Sequence, residues 1–550
     1  MEINWRRLRE IVRTGAYIYL ALPVVIFFLG WCRWYLGIPA TLTVIFSVAL
    51  CKREYSKDSE ESVSIEVPCT ITIKQWIKIT AIAALILLWT WLSGVGGYVW
   101  QNADHPIRNE VFIQLVQEDW PVVKELDQAA GQRGLIYYLA YWLPAAAIGK
   151  LFGAAAGWAM QYFWAVVGIA LMYALVCICR KKLSIWPLIL MIFFSGMDAA
   201  GMLLREPENF RLIGTLSLDE WFGYYQYSSM TTQLFWVFNQ AVPAWVFCAL
   251  VFLGEKPRNM LFLAALILLA STFPFAGVLP YVLYFMVVRS EWKEYGAHPG
   301  QIFKMCRNNW VSLQNVLGGG VTVAVCGLYL AGNDSVRGSL NRILTAGTGM
   351  LAAAVGIVLI CVGLWAVLIM IQRGWGSRMK KTALLLYGAI VFFRIMTIST
   401  QLSPIRYWIY LMIFYVLEAG VLLAVLYPSI KDKTLFLLNA GWLYLIPLIL
   451  IGKANDFCMR ASIPGLFLMM LWCIQMLDAH KHKLCTGVLI LLLAVGALTP
   501  IHEMARAIVN TRDGFVNQTA AEESIFMGSN FSGDTDGLFW KYIAKNTSAD

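Results

Sequence analysis

The sequence predicts an all-α, polytopic membrane protein of about fifteen transmembrane helices, with an extracytoplasmic first loop that carries interfacial helices. Three observations predict it. Only 14% of the 550 residues are charged and the mean hydropathy is +0.64, against about 25% charged in soluble domains, and the deficit runs the whole length. The apolar runs are long and do not alternate. Within a bilayer only helices or closed barrels satisfy the backbone, so runs of this kind read as helices. The 23 Trp, 24 Tyr and 29 Phe are numerous enough to build aromatic belts at two interfaces.

In chain order, apolar runs place spans near 15–36, 37–51, 77–98, 156–178, 183–203, 233–254, 258–272, 274–289, 313–331, 345–371, 382–397, 407–428, 434–452, 462–478 and 484–499. The start, MEINWRRLREIVRTGAY, is basic but lacks a small-residue cleavage site after the first apolar run, and reads as a cytoplasmic lead-in to a retained helix. Arg6, Arg7, Arg9 and Arg13 put the N-terminus inside, and Lys52, Arg53 and Lys57 return to the inside two spans later. The third span then delivers 99–135 outside. If 136–152 also spanned, the basic clusters CRKK, GEKPR, QRGWGSRMKK, KDK and HKHK and the 290–308 loop would all fall outside. If it lies in the interface or re-enters, all six are inside. The second assignment is adopted. It places 99–135, 204–232 and the C-terminus outside, and divides the chain into a transmembrane domain, 1–499, and a short extracytoplasmic tail, 500–550.

The net charge of +10 is the excess Lys and Arg of cytoplasmic loops rather than a nucleic-acid footprint. The twelve cysteines form no CxxC ladder, so neither a disulfide framework nor a zinc site is indicated. There is no Walker A sequence, no Rossmann glycine pattern and no HExxH, which excludes a nucleotide-driven pump and a zinc protease of that type.

Four constellations carry chemistry. Asp104, His105 and Arg108 open the first outer loop. On a helix Asp104 and Arg108 are four apart and share a face, as a surface ion pair or as a carboxylate base beside a cation, with His105 as a second base. Glu118 and Asp119 precede Trp120-Pro121, either as an interfacial helix end or as an acceptor-contacting pair. The loop 204–232 mixes Arg211, Asp219 and Glu220 with Trp221 and Tyr225, a combination that suits a sugar or a loop half-sunk in the headgroup belt. Asp456 and Arg460, again four apart, open an apolar span. An ionisable group at membrane depth is expensive, and Arg460 suits phosphate oxygens. Arg394, inside FFRIMTIST, is a second deep arginine. Asn239 and Gln240, two turns into a span, are expected to hydrogen-bond a neighbouring helix. His502 and Glu503 are expected at the solvated start of the tail.

The pattern at 77–153 resembles the GT-C superfamily of integral membrane glycosyltransferases: an early span, an outer loop with an acidic residue, here Asp104, and an aromatic apolar stretch, LIYYLAYWLPAAAIGKLFG at 135–153, ending in Lys-Leu-Phe-Gly. Gly134-Leu135-Ile136 stands where the family has Pro-Pro or Pro-Leu. The chain also resembles multi-span proteins of Gram-positive bacteria that carry the stretches Trp221 to Trp245 and Asp456 to Pro464. The superfamily resemblance implies a GT-C-like fold and a sugar passed from a polyprenyl-phosphate donor to a cell-surface glycan or polymer at the outer face of a bacterial membrane. Asp104 would be the base, with His105, Glu118 and Asp119 as the other catalytic candidates. Arg108, Arg211, Arg394 or Arg460, or a divalent metal (Mg or Mn), would hold the lipid phosphate. Asp219, Glu220, Trp221, Tyr225 and Asp456 would contact the sugar or acceptor. The competing expectations are a transporter or flippase of lipid-linked glycans, marked by ionisable groups at mid-membrane in several spans, and a non-catalytic assembly protein.

Overall fold

The computed structural model describes residues 2–337 and 404–546, apart from 4, 62–68, 71, 127–130, 212–213, 215–216, 224, 291–298, 450, 452–454, 480–482, 515–516 and 528–529. The expected spans 345–371 and 382–397, and Arg394, lie outside the described residues.

Helices dominate. The chain opens with a two-residue strand β1 (Glu2–Ile3), then α1 (Trp5–Trp31) and α2 (Trp34–Glu61), a strand β2 (Cys69–Thr70) paired with β1, and α3 (Ile73–Leu92). α3 starts at a capping box, in which Thr72 accepts the Gln75 N–H and the Gln75 side chain accepts the Thr72 N–H. The first loop holds α4 (His105–Gln117), β3 (Val123–Glu125) and β4 (Gln132–Leu135). α5 (Leu143–Phe152) follows and meets α6 (Ala154–Arg180) at Gly153, whose φ of 92° only glycine takes without strain. The pair folds back with Gly149 against Gly157, where a Cβ on Gly157 would sit 3.0 Å from the Gly149 backbone. Ten residues rise about 15 Å, half a hydrocarbon core, so α5 is a re-entrant or interfacial piece by length.

Next come α7 (Trp186–Phe193), α8 (Asp198–Arg205), α9 (Met230–Phe252), α10 (Pro257–Ile267), α11 (Thr272–Val288), α12 (Pro299–Asn309) and α13 (Gly320–Ala331), the last preceded by a π-turn at Gln314–Gly319. Beyond the undescribed segment lie α14 (Pro404–Tyr415), a π-turn at Val416–Gly420, α15 (Val421–Leu426), α16 (Lys433–Leu445), α17 (Asp456–Ala461), α18 (Ile463–Ala479), α19 (Lys483–Gly496) and α20 (Leu498–Arg512). The end of the chain forms α21 (Glu523–Phe526), β5 (Ser532–Asp534) and α22 (Leu538–Tyr542).

Among the described residues ten helices or joined helices are long and apolar enough to cross a membrane, which makes this a multi-pass membrane protein. Of the fifteen expected spans, 258–272, 274–289 and 434–452 correspond to shorter apolar helices. α9 and the α17–α18 run are almost wholly buried, whereas α2, α3 and α19 show much of their surface. The reason is composition: α9 carries no charged residue and is mainly apolar on every side, the pattern of a helix enclosed by others.

The tail is woven into the fold. β5 pairs antiparallel with β4, with Leu135 opposite Ser532, and completes a three-stranded sheet β3-β4-β5. Arg133 donates to Asp334 and, at 2.6 Å, to Asp534; Arg337 donates to Asp534 at 3.1 Å and Asp536 at 2.7 Å. The Phe539 ring packs on Phe27 and Tyr329, and Arg33 Nε donates to the Ala544 carbonyl at 3.0 Å. The α1–α2 turn, the first loop, the 332–337 turn and the tail therefore share one face. Arg13 lies 18 residues before the turn, about 27 Å along α1. There its guanidinium meets the buried Glu255 carboxylate at 3.0 Å, which also accepts from Tyr17 and Asn259. The tail expected from about 500 starts later: α20 runs on to Arg512 and fully buries His502 and Glu503.

Candidate functional site

The site begins with a break in the most enclosed helix. Val237 in α9 leaves helical geometry (φ −136°, ψ 36°). In a regular helix the carbonyls of Phe235 and Trp236 accept from the N–H groups of Asn239 and Gln240. Here Phe235 O accepts from Asn102 Nδ2 at 2.7 Å and from His105 Nε2 at 2.9 Å, and Trp236 O accepts from Arg108 Nη1. α4 thus lies across the break and supplies donors to it. A carbonyl only accepts, so the Nε2 of His105 carries the proton. Burial, with Arg108 adding to it, pushes the ring pKa from 6.5 down to about 4. His105, expected as an alternative base, is a neutral ring fixed to the backbone.

Asp104 sits at the open end of α4. Its Oδ2 accepts from Arg108 Nη2 at 2.7 Å; the carboxylate is 43% exposed and the guanidinium 5%. Asp456 and Arg460 repeat the construction at the start of α17, with the carboxylate 34% exposed and the guanidinium 8%. Both spacings are four residues, as the sequence indicated. Both pairs lie within electrostatic reach of the Tyr137–Tyr138 ring pair, whose centroids are 3.7 Å apart: the charges of Arg108 and Arg460 both act on Tyr137. Two buried cations, each with a partly open carboxylate, lie within electrostatic reach of one aromatic pair.

The remaining expected residues are dispersed. Glu118 closes the far end of α4, about 21 Å from Asp104 along the helix. It pairs with Lys124 at 2.7 Å, and Lys124 also holds Glu522 of the tail at 2.9 Å. Asp119 is exposed beside it. Neither belongs with Asp104, so the structure separates the catalytic candidates into two places. Arg211 is exposed on its loop. Asp219, Trp221 and Tyr225, expected on a surface that binds sugar, are buried because the loop 217–229 folds inward under its own aromatic rings. The Trp221 indole lies on Gly201, where no Cβ would fit, and its N–H donates to Glu418 at 2.7 Å.

That indole leads to a group of acids of which sequence reasoning missed Asp198 and Glu418. Asp198, at the start of α8, accepts from Ser195 at 2.6 Å and Thr499 at 3.0 Å, and lies against the Glu418 carboxyl. Glu418 stands on the π-turn of 416–420, an irregularity common at functional sites. Asp219 accepts the Ser229 N–H at 3.1 Å, and burial, reinforced by Asp198 and Glu503, pushes its pKa far up. Glu503 accepts from Ser217, Trp236 and Arg506, each at 2.9 Å. Glu220 interacts with both Glu503 and Asp104. Carboxyls therefore follow one another from the open Asp104 through Glu220, Glu503, Asp219 and Asp198 to the enclosed Glu418. Asp198 and Glu418 were legible: each is a lone acid inside an apolar run, the signal of an expensive intramembrane charge.

Among the described residues no three His, Cys, Asp or Glu side chains gather as metal ligands, Asp104 is engaged by Arg108, and His105 Nε2 is committed to a carbonyl. Comparison with known proteins returns no matching family model, no matching curated protein and no matching solved structure.

Proposed function

We propose that the chain is a membrane glycosyltransferase that passes a sugar from a polyprenyl-phosphate donor to a cell-surface acceptor on the outer face. The observation that supports this reading is the repeated pairing of a buried guanidinium with a partly open carboxylate, Asp104–Arg108 and Asp456–Arg460, both within electrostatic reach of Tyr137. A guanidinium matches phosphate oxygens in two parallel hydrogen bonds, and desolvated phosphate gains more from it than an aspartate half in water. Phosphate on Arg108 frees Asp104 from its partner at the open end of the site. Asp104 then accepts the proton of the acceptor hydroxyl. The acceptor oxygen bonds to the anomeric carbon, the carbon–oxygen bond to phosphate breaks, and the departing phosphate keeps the electron pair under the two arginines. The sugar–phosphate bond itself supplies the driving force.

Asp104→Asn keeps the hydrogen bond to Arg108 and loses the base. The expected outcome is a normally expressed, folded protein whose transfer to surface glycan falls by at least about 100-fold; wild-type glycan on cells carrying that variant would remove Asp104 from the role.

A second reading, a transporter or flippase of lipid-linked glycans, is favoured by the series of carboxyls that reaches Glu418. Asp198, Glu418 and Glu503 all stand in span-length helices, the placement expected for coupled transport. The series runs from the open end at Asp104 toward the enclosed Glu418. On this reading the full-length protein in liposomes loaded with a pH-sensitive dye moves protons when lipid-linked glycan is added, and Glu418→Gln stops it. No proton movement leaves the transferase reading alone.

A further inference from the structure

Asn239 and Gln240 were expected to hydrogen-bond a neighbouring helix. Both side chains are fully buried, and none of their four amide atoms meets a partner among the described residues. A buried amide without partners is destabilising, and the other polar side chains of the same helix, Thr231, Thr232 and Gln233, all have partners. Asn239 and Gln240 are also the two residues whose backbone N–H groups would ordinarily take the carbonyls that Asn102, His105 and Arg108 occupy, so the unpaired side-chain amides stand directly after the break at Val237. His105 adds to it: with Nε2 donating to Phe235, its Nδ1 holds a lone pair that is buried and unpartnered. The walls are aromatic. The Phe238 ring lies 5.4 Å from His105, 5.2 Å from Tyr141 and 6.3 Å from Trp142.

We infer that Asn239, Gln240 and the His105 Nδ1 acceptor form the seat of an uncharged, hydroxyl-rich group, the sugar ring of the donor, which rests on the transferase reading above. An amide presents a donor and an acceptor in one plane, the arrangement that takes neighbouring hydroxyls in pairs, and the aromatic walls suit the C–H faces of a sugar ring. Arg108 grips Trp236, four residues before Gln240. The break at Val237 lies between them, so the Arg108 guanidinium and the two amides flank one irregular turn of α9. On this reading a phosphate on Arg108 and a sugar on the amides are neighbouring parts of one ligand. The unpaired amides are satisfied by the ligand rather than by the fold, which is how a site built to hydrogen-bond a substrate rejects one that lacks the matching hydroxyls.

The test uses the full-length protein in nanodiscs and the apolar double variant Asn239→Leu/Gln240→Met, with Gln240→Met alone as the milder change. Without ligand the variants unfold at the same temperature as the parent or higher, because each loses an unpaired amide. A lower Tm in both would make the amides structural and overturn the inference. A short-chain polyprenyl phosphate raises the Tm of parent and variants equally, and its hexose-bearing counterpart raises the parent further. That extra rise is lost in the double variant. Free hexose at high concentration is the independent arm. If polyprenyl phosphate shifts neither protein but hexose still shifts the parent alone, the donor reading falls and the seat stands. If no hexose-bearing probe separates parent from double variant, the seat is overturned.

Discussion

His105 shows how a side chain's chemistry is decided by one hydrogen bond. Its neighbours in sequence are charged, and it reads as a base; its position under the α9 break makes it a neutral donor to a carbonyl. The folded state holds its pKa near 4 while the unfolded chain has about 6.5. Between those values the unfolded chain binds more protons, so stability is full above about pH 6.5 and falls as the pH drops toward 4, by up to about 3 kcal/mol. Denaturant titrations across that range should show the loss, and His105→Gln, which keeps a donor for Phe235, should flatten it; a parent protein with no acid-side loss would contradict the buried neutral ring. At this scale the sequence was informative where spacing suffices. Asp104 with Arg108 and Asp456 with Arg460 were visible as four-residue pairs because helix periodicity alone brings them together. The destinations of Asp219 and Trp221 were not visible, because whether a loop folds inward depends on the helices waiting beneath it.

At the scale of elements, the least legible part is the sheet that joins the first loop to the tail. Ser532–Asp534 reads Ser-Gly-Asp, with no strand signature, and its partner lies about 400 positions away. The pairing follows from geometry: a Cβ on Gly533 would strike the Gly332 carbonyl, and one on Gly134 would strike Trp540, so glycines on facing strands let the 332–337 turn and α22 close over the sheet. Gly533→Ala is expected to undock the tail while leaving the membrane helices folded, seen as limited proteolysis after about residue 512 that the parent resists. A tail equally resistant in the variant would mean that the sheet tolerates the contact. The α9 break is of the same kind. MTTQLFWVFNQAVPAW contains no glycine or proline at Val237, and the deformation comes from outside, from three donors on the α4 segment that compete for two carbonyls.

At the scale of the whole molecule, the α1–α2 turn, the first loop and the tail share a face, and the buried Arg13–Glu255 pair lies about 27 Å along α1 from it. The basic-loop distribution assigns that face to the outside. A membrane-impermeant thiol reagent applied to intact cells should therefore label Asp536→Cys above the parent and leave Lys74→Cys, at the other end of α3, unlabelled; the reverse pattern would invert the topology. The sequence by itself determined that this is a multi-pass helical membrane protein, roughly where most of its helices run, and which four-residue pairs of charge it carries. Those follow from composition and local periodicity, which act over a few turns. Only the tertiary structure decided that α9 is broken, that Asp198, Asp219, Glu418 and Glu503 come together out of four separate segments, that two amides are left unpaired, and that the tail is part of the first loop's sheet. Each of these depends on contacts between residues hundreds of positions apart, where free energy comes from burying one segment against another and no local pattern records which segment that will be.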